Sequence, residues 1–105
     1  MSETKPSRGV VVKHPDGLHI RLGERFVSLA GQFESTVEVI KGAERVDASS
    51  IMEVLSLGAV QGTELEIEAS GPDADAVLDA LVEFFEQVSI DEDTTSQQEA
   101  NDDVA

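Results

Sequence analysis

Two hydrophobic periods alternate along this chain. Gly9 to Lys13 is a run of valines that reads as a strand. His14-Pro15-Asp16-Gly17 follows as a loop, with Asp16-Gly17 a turn pair. From His19 or Ile20 to Ala30 the apolar positions Leu22, Phe26, Leu29 and Ala30 fall at helical spacing. Gly31 is placed to end that helix as its C′ residue. Phe33 to Ile40 alternates through Phe33, Ser35, Val37 and Val39, a strand pattern. Lys41-Gly42 makes a hairpin turn and Ala43 to Val46 a short return strand.

Asp47, Ser49 and Ser50 are N-cap types ahead of Ile51, Val54, Leu55 and Leu57, which predicts a short helix ending at Gly58. Thr63 to Ala69 sets Leu65, Ile67 and Ala69 against Glu64, Glu66 and Glu68, a strand with one solvated face. Ser70-Gly71-Pro72-Asp73 opens a last helix, with Asp73 or Ser70 near its cap. Its stripe is Ala74, Val77, Leu78, Leu81, Val82 and Phe85. The order βαββαβα predicts an α+β fold. The economical packing is one antiparallel sheet with helices on one face. There is no internal repeat.

Composition narrows the function. The 105 residues suffice for one domain, and 40% are apolar, enough for a single core. There is no cysteine, which excludes disulfides and thiolate metal sites and fits a cytoplasmic setting. No apolar run approaches a membrane span, and Met1 to Arg8 has no apolar stretch of a secretory signal. The net charge of −15 argues against nucleic acid and anionic membrane surfaces as partners. Six of the acids lie between Val88 and Ala105 without a base, leaving −9 on the body. The organisation expected is a flexible N-terminus over 1–7, a folded domain over 8–87 and an acidic, disordered, solubilising tail over 88–105.

The chemistry concentrates at Gly17-Leu18-His19-Ile20-Arg21. His19 stands where the first helix begins, and unpaired N–H groups at a helix N-terminus favour an anion. An imidazole nucleophile and a guanidinium beside those donors suit the holding of a phosphoryl group. The plainer alternatives are an ordinary N-cap histidine and a solvated arginine. His14, the other histidine, precedes Pro15 in a loop that gives it no ligand partners, so no metal is expected. Glu64, Glu66 and Glu68 read as a solvated sheet face, not a catalytic carboxylate pair.

Four stretches together resemble one family. Gly17-Leu18-His19-Ile20-Arg21 is similar to the G-L-H-x-R-P-A motif of the histidine-containing phosphocarrier (HPr) family of the bacterial phosphoenolpyruvate-dependent sugar phosphotransferase system. Ser49 to Gly58 resembles its K-S-I-M-x-V-x-S-L-G segment around a regulatory serine. Gln61-Gly62-Thr63-Glu64-Leu65 resembles the lead-in to its last strand, and Ala69 to Asp73 the approach to its last helix. The resemblance covers about Arg8 to Gln87. It implies an open-faced β-sandwich and a carrier that relays a phosphoryl group without itself being an enzyme. His19 would be phosphorylated at Nδ1 (pros-phosphohistidine), with Arg21 pairing its oxygens. Ser50 aligns with the serine that a dedicated kinase modifies, the plainer role being an N-cap. Ile20, Arg25, Ile51 and Met52 would contact partners, whereas Leu22 and Leu55 read as core.

The partners so implied are Enzyme I, enzyme IIA components and an HPr kinase/phosphorylase, serving a monomeric carrier that needs no cofactor. Two departures stand beside the motif: Leu22 replaces its Pro and Gly23 its Ala. The Glu-Ala-Ser-Gly-Pro stretch and acidic finish look like the nitrogen-type regulatory branch, while Ser-Ile-Met looks like the sugar branch. Family docking surfaces are basic. Here Arg21 and Arg25 share theirs with Glu24 and Glu53, which suits partners adapted to a less basic carrier. A different class of function, a regulatory docking module working through the Ser50 patch, competes with the carrier. A small ligand-binding domain unrelated to phosphate has no supporting motif.

Overall fold

The computed structural model describes residues 5–88. The elements run β1 (Ser7–Val11), α1 (Ile20–Ala30), β2 (Thr36–Lys41), β3 (Glu44–Asp47), α2 (Ile51–Ser56), β4 (Glu64–Ser70) and α3 (Ala74–Gln87). The four strands form one antiparallel sheet in the order β1-β4-β2-β3. Residues 1–4 of the expected flexible N-terminus and 89–105 of the expected acidic tail lie outside the described part, whereas Ser7 belongs to β1 and Val88 is buried in the core.

Register follows from the alternation of side chains. Val10 pairs with Leu65, Val37 with Ala69 and Val39 with Ile67, and all six are buried. That face meets the stripes of the helices: Leu22, Phe26 and Ala30 from α1, Val54 from α2, and Val77, Leu78, Leu81 and Phe85 from α3. Phe26 lies 6.0 Å from Phe84 and 5.5 Å from Phe85 between ring centroids, so the three phenylalanines clasp α1 to α3. Burying each such ring stabilises the fold by roughly 1.5–3 kcal/mol.

The opposite face is polar. Glu38 sits directly across from both Asp47 and Glu68, which would repel. Arg45 reaches both Glu38 and Glu68 and offsets that repulsion. The result is an open-faced sandwich with its helices on one side.

Some local details differ from the sequence reading. β1 lies two residues earlier than expected. Val12 still bonds Thr63 and Gly62, but beyond the regular ladder. β2 begins at Thr36, because the N–H groups of Glu34 and Ser35 are taken by the Asp73 carboxylate (2.9 and 2.8 Å). Asp73 is the N-cap residue of α3, yet its side chain serves that loop rather than its own helix. Gly31 ends α1 in a right-handed conformation (φ −71°), not the left-handed one that favours glycine. The hairpin turn is Gly42-Ala43, with Gly42 at φ +59° as the first position of a type II′ turn demands.

Candidate functional site

The site grows from the loop between β1 and α1. Gly17 adopts φ +73°, and a Cβ there would lie 2.5 Å from the Ala59 carbonyl oxygen. The loop is therefore pressed against the segment following α2. Gly17 N–H donates to the His14 carbonyl (2.9 Å), and Leu18 N–H to the Ala59 carbonyl (2.8 Å). Leu18 is buried and acts as the anchor. His19 N–H then closes onto the Gly17 carbonyl (2.9 Å).

His19 emerges from this frame as the N-cap residue of α1. Its backbone is extended (φ −80°, ψ 179°), and its carbonyl accepts from Gly23 N–H at 2.8 Å. Its ring does not cap the helix, and no acidic side chain lies in the first turn. The N–H groups of Ile20, Arg21 and Leu22 precede Gly23, the first intrahelical donor, and such unpaired donors at a helix N-terminus favour an anion. Arg21 is exposed and makes no ion pair among the described residues. A half-buried imidazole, three backbone donors and an exposed arginine thus belong to the first turn of α1 and its cap.

One neighbour was not expected there. His14 is only 2% exposed, and its ring stands 73° to that of His19 with centroids 5.0 Å apart. Ligand-type atoms of His14, Asp16 and His19 lie within 4.8 Å of one another. The expectation that His14 has no ligand partners is therefore corrected: the loop folds back and sets the two histidines edge to face. The grouping is nonetheless ill-suited to a metal. Asp16 N–H donates to His14 Nδ1 at 3.0 Å, which engages one lone pair and leaves the neutral ring's proton on Nε2. Ligation through either nitrogen would sacrifice that bond.

α2 lies beside the site. Ser50 Oγ accepts from Glu53 N–H (3.3 Å), the cap expected from the sequence. The Glu53 carboxylate reaches back to Asp47 N–H (3.0 Å), and Asp47 in turn accepts from Ser49 N–H and Oγ, both at 2.8 Å. At the other end Lys41 Nζ donates to the Leu57 carbonyl (2.9 Å). A six-residue helix is marginal by itself, and these bonds hold it at both ends. Ser50 is half-buried and flanked by two carboxylates.

Apolar side chains are also exposed on α1 and α2. Ile20 is 60% exposed and Met52 76%, with Ile51 half-buried. Leu22 is buried, as its core reading required, whereas Leu55 is half-buried against Gly23. Arg25 is exposed with its guanidinium 5.9 Å above the Phe84 ring. Val60, 65% exposed and next to the Gly17 loop, was missed. It sits in a loop without periodicity, so no pattern in the sequence marked it.

Comparisons with known proteins agree with this geometry. The family model described as the PTS HPr component phosphorylation site matches residues 6–87. The phosphocarrier protein HPr of Cupriavidus necator is 41% identical over 66 residues, 63% of this chain and 74% of that protein. The phosphocarrier protein NPr of Shewanella violacea is 32% identical over 78 residues, 74% and 86% of the two chains. Among solved structures, HPr-C-His from Thermoanaerobacter tengcongensis superposes with a TM-score of 0.75 at 36% identity, covering 77% of this chain and 91% of that one. The histidine loop, the capped short helix and the open-faced sandwich therefore have one common source: this chain belongs to the HPr family of phosphocarrier proteins of the phosphotransferase system.

Proposed function

We propose that this carrier takes its phosphoryl group from phospho-Enzyme I onto His19 Nδ1 and delivers it to an enzyme IIA. The lone pair on Nδ1 attacks phosphorus. The bond from phosphorus to the donor breaks, and its electron pair stays with the donor. The His19 ring proton remains on Nε2 throughout. The observation that carries this reading is the ring of His19 at the N-terminus of a helix whose first turn holds no acid, beside an arginine with no ion pair among the described residues. The first-turn N–H groups of α1 and the Arg21 guanidinium meet the charge on the phosphoryl oxygens.

The test is labelling with phosphoenolpyruvate and the cognate Enzyme I. An acid-labile phosphoryl group is expected on the wild type and not on His19→Ala; an unlabelled wild type rejects the relay. Arg21→Ala is expected to keep the fold and slow transfer by roughly ten- to a hundredfold, the value of a hydrogen bond to a charged group. An unchanged rate removes Arg21 from the site.

Ile20, Arg25, Ile51 and Met52 form the proposed docking surface, serving a monomeric carrier in the cytoplasm. Whether its acceptor belongs to a sugar or a nitrogen-type branch is decided by which enzyme IIA discharges the phosphorylated protein. The similarity to both HPr and NPr keeps the two acceptors in the same assay. Ser50 is the site proposed for regulatory phosphorylation by an HPr kinase/phosphorylase. Its position at a helix N-terminus favours a phosphate, and Glu53 must give up its bond to Asp47 to make room. Incubation with the kinase and intact-mass analysis tests this. Absence of incorporation, or incorporation that persists in Ser50→Ala, rejects it and with it a docking module switched at that serine.

A further inference from the structure

We infer that His14 is a positioning residue for His19, a use of this loop that rests on the relay reading above. Three observations point there. The His14 side chain is buried, so it is not a solvent-facing loop residue. Its orientation is fixed from two directions: Gly17 N–H donates to its carbonyl, and Asp16 N–H donates to its Nδ1. Its ring then meets the His19 ring edge to face at 5.0 Å.

The consequence is chemical as well as steric. A backbone N–H is always a donor, so the Nδ1 it reaches carries no proton, and the neutral His14 ring is held in its Nε2–H tautomer. His19 therefore stands on a rigid partner with one fixed orientation and one fixed proton. An imidazole with free rotation about its Cβ–Cγ bond presents the attacking nitrogen to phosphorus only part of the time. The ring set against it removes much of that freedom before Enzyme I arrives, which is the preorganisation that raises a transfer rate. It also gives the two His19 tautomers unequal surroundings. Asp16 is thus part of the site through its backbone N–H.

Docking lies elsewhere. His14 is covered, so its loss alters how His19 is held and not what Enzyme I touches. The expected signature is a fall in kcat for phosphoryl transfer from Enzyme I with little change in KM.

Two variants test this, each verified as folded by its amide NMR spectrum. His14→Gln offers an acceptor to Asp16 N–H and retains a donor; His14→Ala offers neither. His14→Ala is expected to lower kcat about tenfold at unchanged KM. It should also move the His19 ring ¹⁵N shifts toward those of a free histidine's tautomer mixture. His14→Gln should restore most of both. A merely structural role would lower thermal stability and leave the ¹⁵N shifts and the kcat/KM split alone. Wild-type kinetics and shifts in both variants, or equal losses in both, overturn the inference. The NMR measurement uses unphosphorylated protein, so it stands even if Enzyme I fails to label the wild type, a result that would reject the relay and not the His14–His19 coupling.

Discussion

At the residue scale, Gly17 decides the shape of the site most directly. Its positive φ could be borne by another residue at a cost, but the space beside it could not. An added Cβ would press on the Ala59 carbonyl oxygen and the Val60 Cα, both backbone atoms that cannot swing away. Gly17→Ala is expected to destabilise the protein by about 1–3 kcal/mol from the conformation alone. It should also slow phosphoryl transfer, because the loop that carries His14 and His19 must shift. Denaturant unfolding and a single-turnover transfer assay read the two effects. A variant that loses stability but transfers normally would separate the loop from the chemistry. Asp73 illustrates a different residue-level dependence. Its carboxylate accepts from Ser35 Oγ and from the N–H groups of Ser35 and Glu34, which lowers its pKa below the ordinary 3.8. A depressed carboxylate stabilises the fold above its unfolded pKa and loses that contribution as pH falls through the folded value. The stability gap between wild type and Asp73→Asn should accordingly be full near neutral pH and close under acid, below the ordinary carboxylate range. A gap independent of pH would show that these bonds contribute nothing specific to the charged form.

At the element scale, the packing of α1 on α2 explains one departure from the family motif. Gly23 stands where the motif has Ala, and a Cβ there would come 3.1 Å from Leu55 Cδ2. The chain has filled the missing methyl's space with a leucine branch. Leu55 is half-buried, so it has room to turn outward. Gly23→Ala should then gain up to about 1 kcal/mol from helix propensity, less the cost of moving Leu55. Thermal unfolding will show the sign; a net loss would mean Leu55 is pinned. The elements themselves were largely legible from the sequence because periodicity reports burial, and burial is what the helices and strands share. α2 was legible through its cap, a bond spanning three residues. The start of β2 was not, since Phe33 to Ser35 continue the alternation while the N–H groups of Glu34 and Ser35 are claimed by Asp73, 39 and 38 positions along the chain. The pairing of His14 with His19 was hidden for a related reason. Four residues separate them, and only the reversal at Gly17 brings their rings together. His19 and Arg21, by contrast, were readable because both belong to one helix end.

At the scale of the whole molecule, charge governs how partners arrive. The chain carries −15 overall, and the exposed carboxylates of β4 face away from the helical side that holds the site. On α1 and α2 the balance is different: Arg21 and Arg25 are matched by Glu24 and Glu53, all four exposed. A locally balanced surface on an acidic body gives little electrostatic steering toward an acidic partner. The cognate Enzyme I should then be one that associates without it. Glu24→Lys changes the local charge by two without touching a buried group. With the cognate Enzyme I it should leave the association rate unchanged or lower it. With an Enzyme I that ordinarily serves a basic carrier it should raise the rate several-fold at low salt. Both responses should fade as ionic strength rises from about 0.01 to 0.15 M, where the screening length falls from roughly 30 to 8 Å. Acceleration with both enzymes would show that the cognate partner is acidic in the usual way, and that the carrier's own acidity is a burden its docking surface merely tolerates.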